Sequence, residues 1–173
     1  MSEPGRFVEP DIAAWVRLLD EFEVAYVVVG GIGARLHGAN RPTMDIDVVP
    51  AWVDANLARL CLLLRSIEAH STSGPPLAAN AITPAELIER EITTWATTLG
   101  RIDVLVGIPD AQGLPVTYDE LIGRGETQRI DTTEVVVANL EDIITSKEHA
   151  NRAKDRAALP ELYRLLRVEQ DRL

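Results

Sequence analysis

Val24-Ala25-Tyr26-Val27-Val28-Val29-Gly30-Gly31, followed downstream by Met44-Asp45-Ile46-Asp47-Val48-Val49-Pro50, is the part of this chain that decides its architecture. The first stretch is β-branched and aromatic and stops at two glycines, the pattern of a buried strand entering a tight turn. A short helix is predicted from about residue 31 to 36, with Gly38 ending it. The second stretch alternates until Pro50 closes it, which predicts a strand with Met44, Ile46 and Val48 on the core face. Asp45 and Asp47 then share the opposite face. Their Cα atoms would lie roughly 6.6 Å apart, twice the rise per residue, so the two carboxylates can converge on the same ions.

Working outward, Ile12, Trp15, Val16, Leu19 and Phe22 follow helical spacing behind Pro10-Asp11 and predict a helix covering one face. Val53, Leu57, Leu60, Cys61, Leu64 and Ile67 predict a long amphipathic helix, and 71–76 a loop of turn residues. Thr83-Pro84-Ala85-Glu86 is a capping box with proline at the first helical position. Two strands, 92–98 and 101–108, are expected to join at Leu99-Gly100, and 134–137 to form a last strand. Thr117 to Glu120 suggests a capped helical turn. Asn139 with Asp142 starts a helix toward Ala150, and Pro160 begins or restarts another through Leu166. This order predicts an α/β or α+β fold, a mixed sheet flanked by helices with further helices at the C-terminus. One domain is expected over 1–173, with about 7–137 forming the sheet and its helices and 139–173 a helical C-terminal part.

At 173 residues, 46% hydrophobic and 25% charged, the composition is that of an ordinary globular chain. No apolar run approaches the ~18 residues of a membrane helix, and Met1 to Arg6 shows no secretory signal. With a single cysteine, Cys61, there is no disulfide framework or zinc spacing, and a cytoplasmic location away from membranes is expected. The formal net charge of -10 argues against a broad nucleic-acid surface, although Lys147, Arg152, Lys154 and Arg156 concentrate positive charge locally.

Oxygen ligands suit magnesium or manganese, and paired carboxylates on rigid backbone can hold two such ions about 4 Å apart, a clamp for in-line displacement at phosphorus. Taken alone, the pair reads more readily as the solvated face of an edge strand, since exposed acids are commonplace. Two features add to it. Gly30-Gly31 puts backbone N–H groups at a helix start where a phosphate can come close, unless it is merely a tight turn. Asp103, within Ile102-Asp103-Val104-Leu105-Val106, is an acid on a predicted strand that needs a partner or a metal unless it is a turn residue after Gly100. His37, a lone histidine ending a helix, reads as structural rather than as a ligand or base, and Trp15, Trp52 and Trp95 read as packing residues.

The spaced pattern Val29-Gly30-Gly31-Ile32-Gly33-Ala34-Arg35-Leu36-His37-Gly38, then Arg41-Pro42-Thr43-Met44-Asp45-Ile46-Asp47, resembles the minimal nucleotidyltransferases of the DNA polymerase β superfamily. Within them it looks most like the AbiEii-like and MenT-like toxin nucleotidyltransferases. Gly100-Arg101-Ile102-Asp103-Val104-Leu105 is similar to the family's third-carboxylate strand, and Ser146-Lys147 with Arg152-Ala153-Lys154-Asp155 to its C-terminal signature. The resemblance spans about residues 24–160. It implies a polymerase-β-like fold in which Asp45, Asp47 and Asp103 hold the metals, with Asp103 either a ligand or a helper in deprotonating the acceptor. It implies nucleotide contacts from Gly30, Gly31, Arg41, Lys147 and Asp155. Lys147 could otherwise cover the core with its stem, Asp155 could cap a helix, and Arg41 could be a solvated loop residue. Many relatives have Gly-Ser where this chain has Gly30-Gly31, so backbone donors must replace a serine hydroxyl.

The activity so implied moves an NMP from an NTP to an acceptor hydroxyl, with two Mg2+ or Mn2+ ions. A toxin-antitoxin enzyme acting on a tRNA 3' end, with an antitoxin protein as partner, is the leading expectation. A partner protein or an aminoglycoside-like small molecule as acceptor, or a catalytically silent nucleotide-binding protein, are the alternatives.

Overall fold

The computed structural model describes residues 9–75 and 77–172. The Met1 to Arg6 segment and Pro76 of the predicted loop lie outside them. The chain opens with α1 (Ile12–Glu21), β1 (Tyr26–Val29), α2 (Gly30–Leu36), β2 (Asp45–Pro50), α3 (Asp54–Ser66) and β3 (His70–Ser71). A single 3-10 turn (Ala79–Ala81) precedes α4 (Pro84–Arg90), β4 (Ile92–Thr97) and β5 (Gly100–Leu105). Then come β6 (Ile108–Pro109), β7 (Pro115–Val116), α5 (Tyr118–Arg124), β8 (Glu126–Ile130), β9 (Thr133–Val137), α6 (Leu140–Ala150) and α7 (Ala153–Gln170).

Seven strands form one mixed sheet in the order β3-β4-β5-β2-β1-β9-β8, and β6 and β7 make a separate small hairpin. Within the large sheet β2 runs parallel to β5 and β1 parallel to β9, while the other pairs are antiparallel. Both faces are covered, which is why β1 reads as an unbroken apolar run. Val28 packs with Ile46, Val48, Trp15, Leu60 and Trp95 on the side of α1, α3 and α4. Val27 and Val29 pack with Val49, Leu121, Ile143 and Leu162 on the side of α5, α6 and α7. Asp45 and Asp47 alternate with Ile46 and Val48, so they stand on this second side, below the C-terminal helices. Among the described residues no helix is long and apolar enough to cross a membrane.

Four expectations need correction. Met44 is 44% exposed rather than in the core, because β2 starts only at Asp45. The expected strand 101–108 ends at Leu105, and Ile108 pairs instead with Val116. Gly107 permits that exit, since a Cβ there would stand 2.6 Å from the Val116 carbonyl oxygen. Strands β3, β7 and β8 were not foreseen. In β8, Glu126, Thr127 and Arg129 are exposed, so an edge strand carries no apolar alternation to read. Finally, α7 begins at Ala153 and carries Pro160 in its interior. On that exposed face the helix loses one hydrogen bond without ending. The three tryptophans do pack: Trp15 and Trp95 are fully buried, and the Trp52 indole donates to the Leu105 carbonyl at 3.2 Å.

Candidate active site

The parallel pairing of β2 with β5 sets Asp47 beside Asp103 and Asp45 beside Arg101. Residues paired across adjacent strands point the same way, so three carboxylates meet on one face, each offering an oxygen within 4.8 Å of the others. Thr43 fixes one of them, its hydroxyl lying 3.2 Å from both the backbone oxygen and Oδ1 of Asp45. Gly30 makes room for another. Its φ is +63°, and a Cβ at that position would come within 2.1 Å of Asp47 Oδ2. Only glycine allows the turn into α2 and this approach at once.

Three like charges in a half-buried site are costly. Burial and the neighbouring charges of Asp45 and Asp103 push Asp47 up to about 7, against the opposing pull of the Gly31 backbone N–H and Lys147. Burial likewise raises Asp103, with its cross-strand neighbour Thr94 acting the other way. One oxygen of Asp103, Oδ1, is buried and without a hydrogen-bond partner among the described residues. A buried carboxylate oxygen left bare beside two further carboxylates fits a divalent cation, and the all-oxygen donor set is that of Mg2+ or Mn2+.

Facing the acids is a set of cations held by α6 and α7. Asp155 is fully buried at the start of α7, where its carboxylate accepts from the Arg152 backbone N–H at 3.3 Å and completes the helix cap. Arg152 Nε lies 2.6 Å from Asp155 Oδ2, and Lys147 Nζ 3.5 Å from Oδ1. Burial would raise Asp155, but the hydrogen bond and charge of Arg152, with Lys147, hold it below the ordinary carboxylate range. Asp155 is thus both a cap and the anchor that holds Lys147 over the sheet. Arg41 donates to the Ala157 carbonyl at 2.6 Å, tying the loop before β2 to α7.

These groups surround one cavity of about 800 Å³. Gly30, Gly31, Arg41, Asp45, Asp47, Asp103, Lys147 and Asp155, the eight residues singled out in the sequence, all line it. Lys154, read in the sequence as part of a basic concentration, lines it as well, and so do Thr43 and Arg101, which were not singled out as site residues. For Arg101 the signal is its register against Asp45, which depends on which strands pair. The floor is acidic, the rim is basic, and Ile92, Leu105, Ile108 and Pro109 contribute an apolar wall.

Compared with known proteins, no family model matches the sequence and no curated protein matches it. Among solved structures, the fold is similar to that of the lincosamide antibiotic adenylyltransferase LnuA in its lincomycin-bound form, at a TM-score of 0.64 and 12% identity. That match covers 93% of this chain and 99% of the other. It is also similar to an antigenic nucleotidyltransferase-like protein from Paracoccidioides brasiliensis, at a TM-score of 0.59 and 15% identity, covering 91% of this chain and 74% of the other. The fold is therefore the mixed α/β fold of nucleotidyltransferases. The finer likeness to AbiEii-like and MenT-like toxins finds no counterpart in these two matches.

Proposed function

We propose that this protein transfers an NMP from an NTP to an acceptor hydroxyl, with divalent metal ions held by Asp45, Asp47 and Asp103. The observation that carries the proposal is the opposition of this carboxylate floor to Arg41, Lys147, Arg152 and Lys154 across one cavity, with Arg101 beside Asp45 on the sheet. A nucleoside triphosphate with its metals has that alternation of charge, the cations on the carboxylates and the phosphates between both. When bound, Mg2+ or Mn2+ would neutralise charge on the phosphates and orient them for in-line displacement. Lys147, steered by Asp155, presents its ammonium toward the Asp47 side of the cavity, where phosphate oxygens would pass. Gly30 and Gly31 let the phosphates approach the backbone closely. Asp103 offers its bare Oδ1 either to a metal or to the proton of the attacking hydroxyl. The acceptor oxygen bonds to the α-phosphorus, the α–β phosphoanhydride bond breaks, and pyrophosphate leaves.

For the acceptor we propose an RNA 3' end, a tRNA in a toxin-antitoxin setting, with an antitoxin protein as a further partner. Five cations around one opening in a chain of net charge -10 support it. The apolar wall favours a second reading, a small molecule bearing a hydroxyl, of the kind that LnuA's name indicates for that protein.

Isothermal titration with each of the four NTPs, with and without Mg2+, tests the donor. Magnesium-dependent binding of at least one NTP that disappears in the Asp45→Ala, Asp47→Ala double variant is expected. Binding by none would overturn the reading. Transfer of α-phosphate label to tRNA, but not to hydroxyl-bearing antibiotics, would settle the acceptor as RNA, and the reverse pattern would choose the second reading.

A further inference from the structure

A second three-residue cluster lies at the other end of α2, outside the cavity. His37 caps that helix, and its imidazole is almost wholly enclosed, with a side-chain exposure of 1%. Nε2 lies 2.8 Å from the Ala138 carbonyl, an oxygen that can only accept, so this nitrogen carries the proton. In that tautomer Nδ1 is a bare lone pair. It faces Glu169 Oε1, from the end of α7, at 3.1 Å and Glu126 Oε2, from the start of β8, at 3.9 Å. Three acceptors from three elements thus converge, with their ligand atoms all within 4.8 Å of one another. With the imidazole neutral such a set repels itself unless a cation sits among them, and a proton on Nδ1 is the competing occupant.

We infer that His37, Glu126 and Glu169 form a binding site for a first-row divalent ion of the zinc type, distinct from the carboxylate site of the cavity. Imidazole nitrogen suits zinc, cobalt or nickel, whereas magnesium prefers oxygen alone. Ligands at 2.0–2.1 Å in a tetrahedron stand roughly 3.3 Å apart, and the 3.1 and 3.9 Å separations bracket that value. The hydrogen bond from Nε2 to a backbone carbonyl is the outer contact that fixes a ligating imidazole. Register explains the placement: Glu126 pairs with Val137, the residue before Ala138, so β8 brings its carboxylate to the ring. With the half-exposed Glu126 as one ligand, a fourth position stays open to water. An ion here clips the end of α7 to α2 and to the edge strand of the sheet, and the site is independent of the proposed transfer reaction.

The test uses the full chain, stripped with chelator and titrated with Co2+ and with Zn2+. The Asp45→Ala, Asp47→Ala, Asp103→Ala triple variant serves as background, so that metal in the cavity does not count. A single equivalent is expected, with cobalt visible bands of a four- or five-coordinate site, and zinc should raise the Tm. Glu126→Gln and Glu169→Gln, both at solvent-accessible positions that tolerate the change, should each weaken binding at least tenfold, and together abolish it. His37→Gln, which can disturb folding, is not needed for the decision. If the background protein binds no ion, or if binding is unchanged in the double glutamine variant, the inference is overturned and the cluster is an ion pair of an imidazolium with two carboxylates.

Discussion

The two ends of α2 carry two clusters of the same size and opposite character. At its start, Asp47 presses against Gly30 within an all-carboxylate group on two paired strands. At its end, His37 meets two glutamates that reach it from an edge strand and from a helix terminus. The first cluster is crowded and rigid, and its repulsion is stored in the fold as a carboxyl group pushed up to about 7. The second contains a nitrogen and two partly solvated acids. Strand-borne acids are therefore held where they are energetically unwelcome, as the proposed metal site requires, whereas Glu169 of the His37 cluster joins the end of α7 to α2.

Asp47→Asn gives the largest expected effect. It should lower the proposed transfer rate on the order of 10³-fold or more by removing a proposed metal ligand, measured as label incorporation. It should also make the metal-free protein more stable at pH 8 than the parent, because a repelled charge is gone. A loss of stability there would break the contrast between the clusters. The corresponding change at Glu126 should leave transfer unaltered.

Gly30→Ala comes next. A left-handed φ of +63° with a Cβ aimed at Asp47 should cost about 1–2 kcal/mol in a urea titration, and moving the carboxylate should reduce the rate roughly 10²-fold. Asp155→Ala removes a buried cap and the anchor of Lys147, for about 2 kcal/mol, and Asp155→Asn should restore the cap but not the pairing.

The pH dependence bears on stability and metal affinity rather than on the rate at a fixed pH. Because Asp47 is raised from 3.8 to about 7, the native state holds that proton more tightly than the unfolded chain. Its contribution to metal-free stability is present below about pH 4 and is lost as the pH rises through about 7. Thermal melts in chelator should show this decline, Mg2+ affinity should rise over the same interval, and Asp47→Asn should flatten both.

Much of the cavity was legible because its elements carry local signals. Strand alternation put Asp45 and Asp47 on one face, and the paired glycines marked a turn. Asp155 shows where such reading stops: from its position alone, N-cap and site were rival roles, and the structure puts the N-cap at Arg152, with Asp155 at the third helical position closing the capping box and pairing with Lys147. Strand β8 was missed because an edge strand exposed to water needs no apolar pattern, and the break after Leu105 was missed because valine and isoleucine continue past it.

The sequence by itself determined which segments alternate, which turn, and hence which side chains share a face, because these follow from the periodicity of local backbone geometry. Only the tertiary structure decided that β2 lies beside β5, which brings Asp103 to Asp47, and that β8 and the end of α7 bring Glu126 and Glu169 to His37. Strand order and helix docking are set by burial of apolar faces summed over the whole sheet, and no short stretch of chain carries that sum.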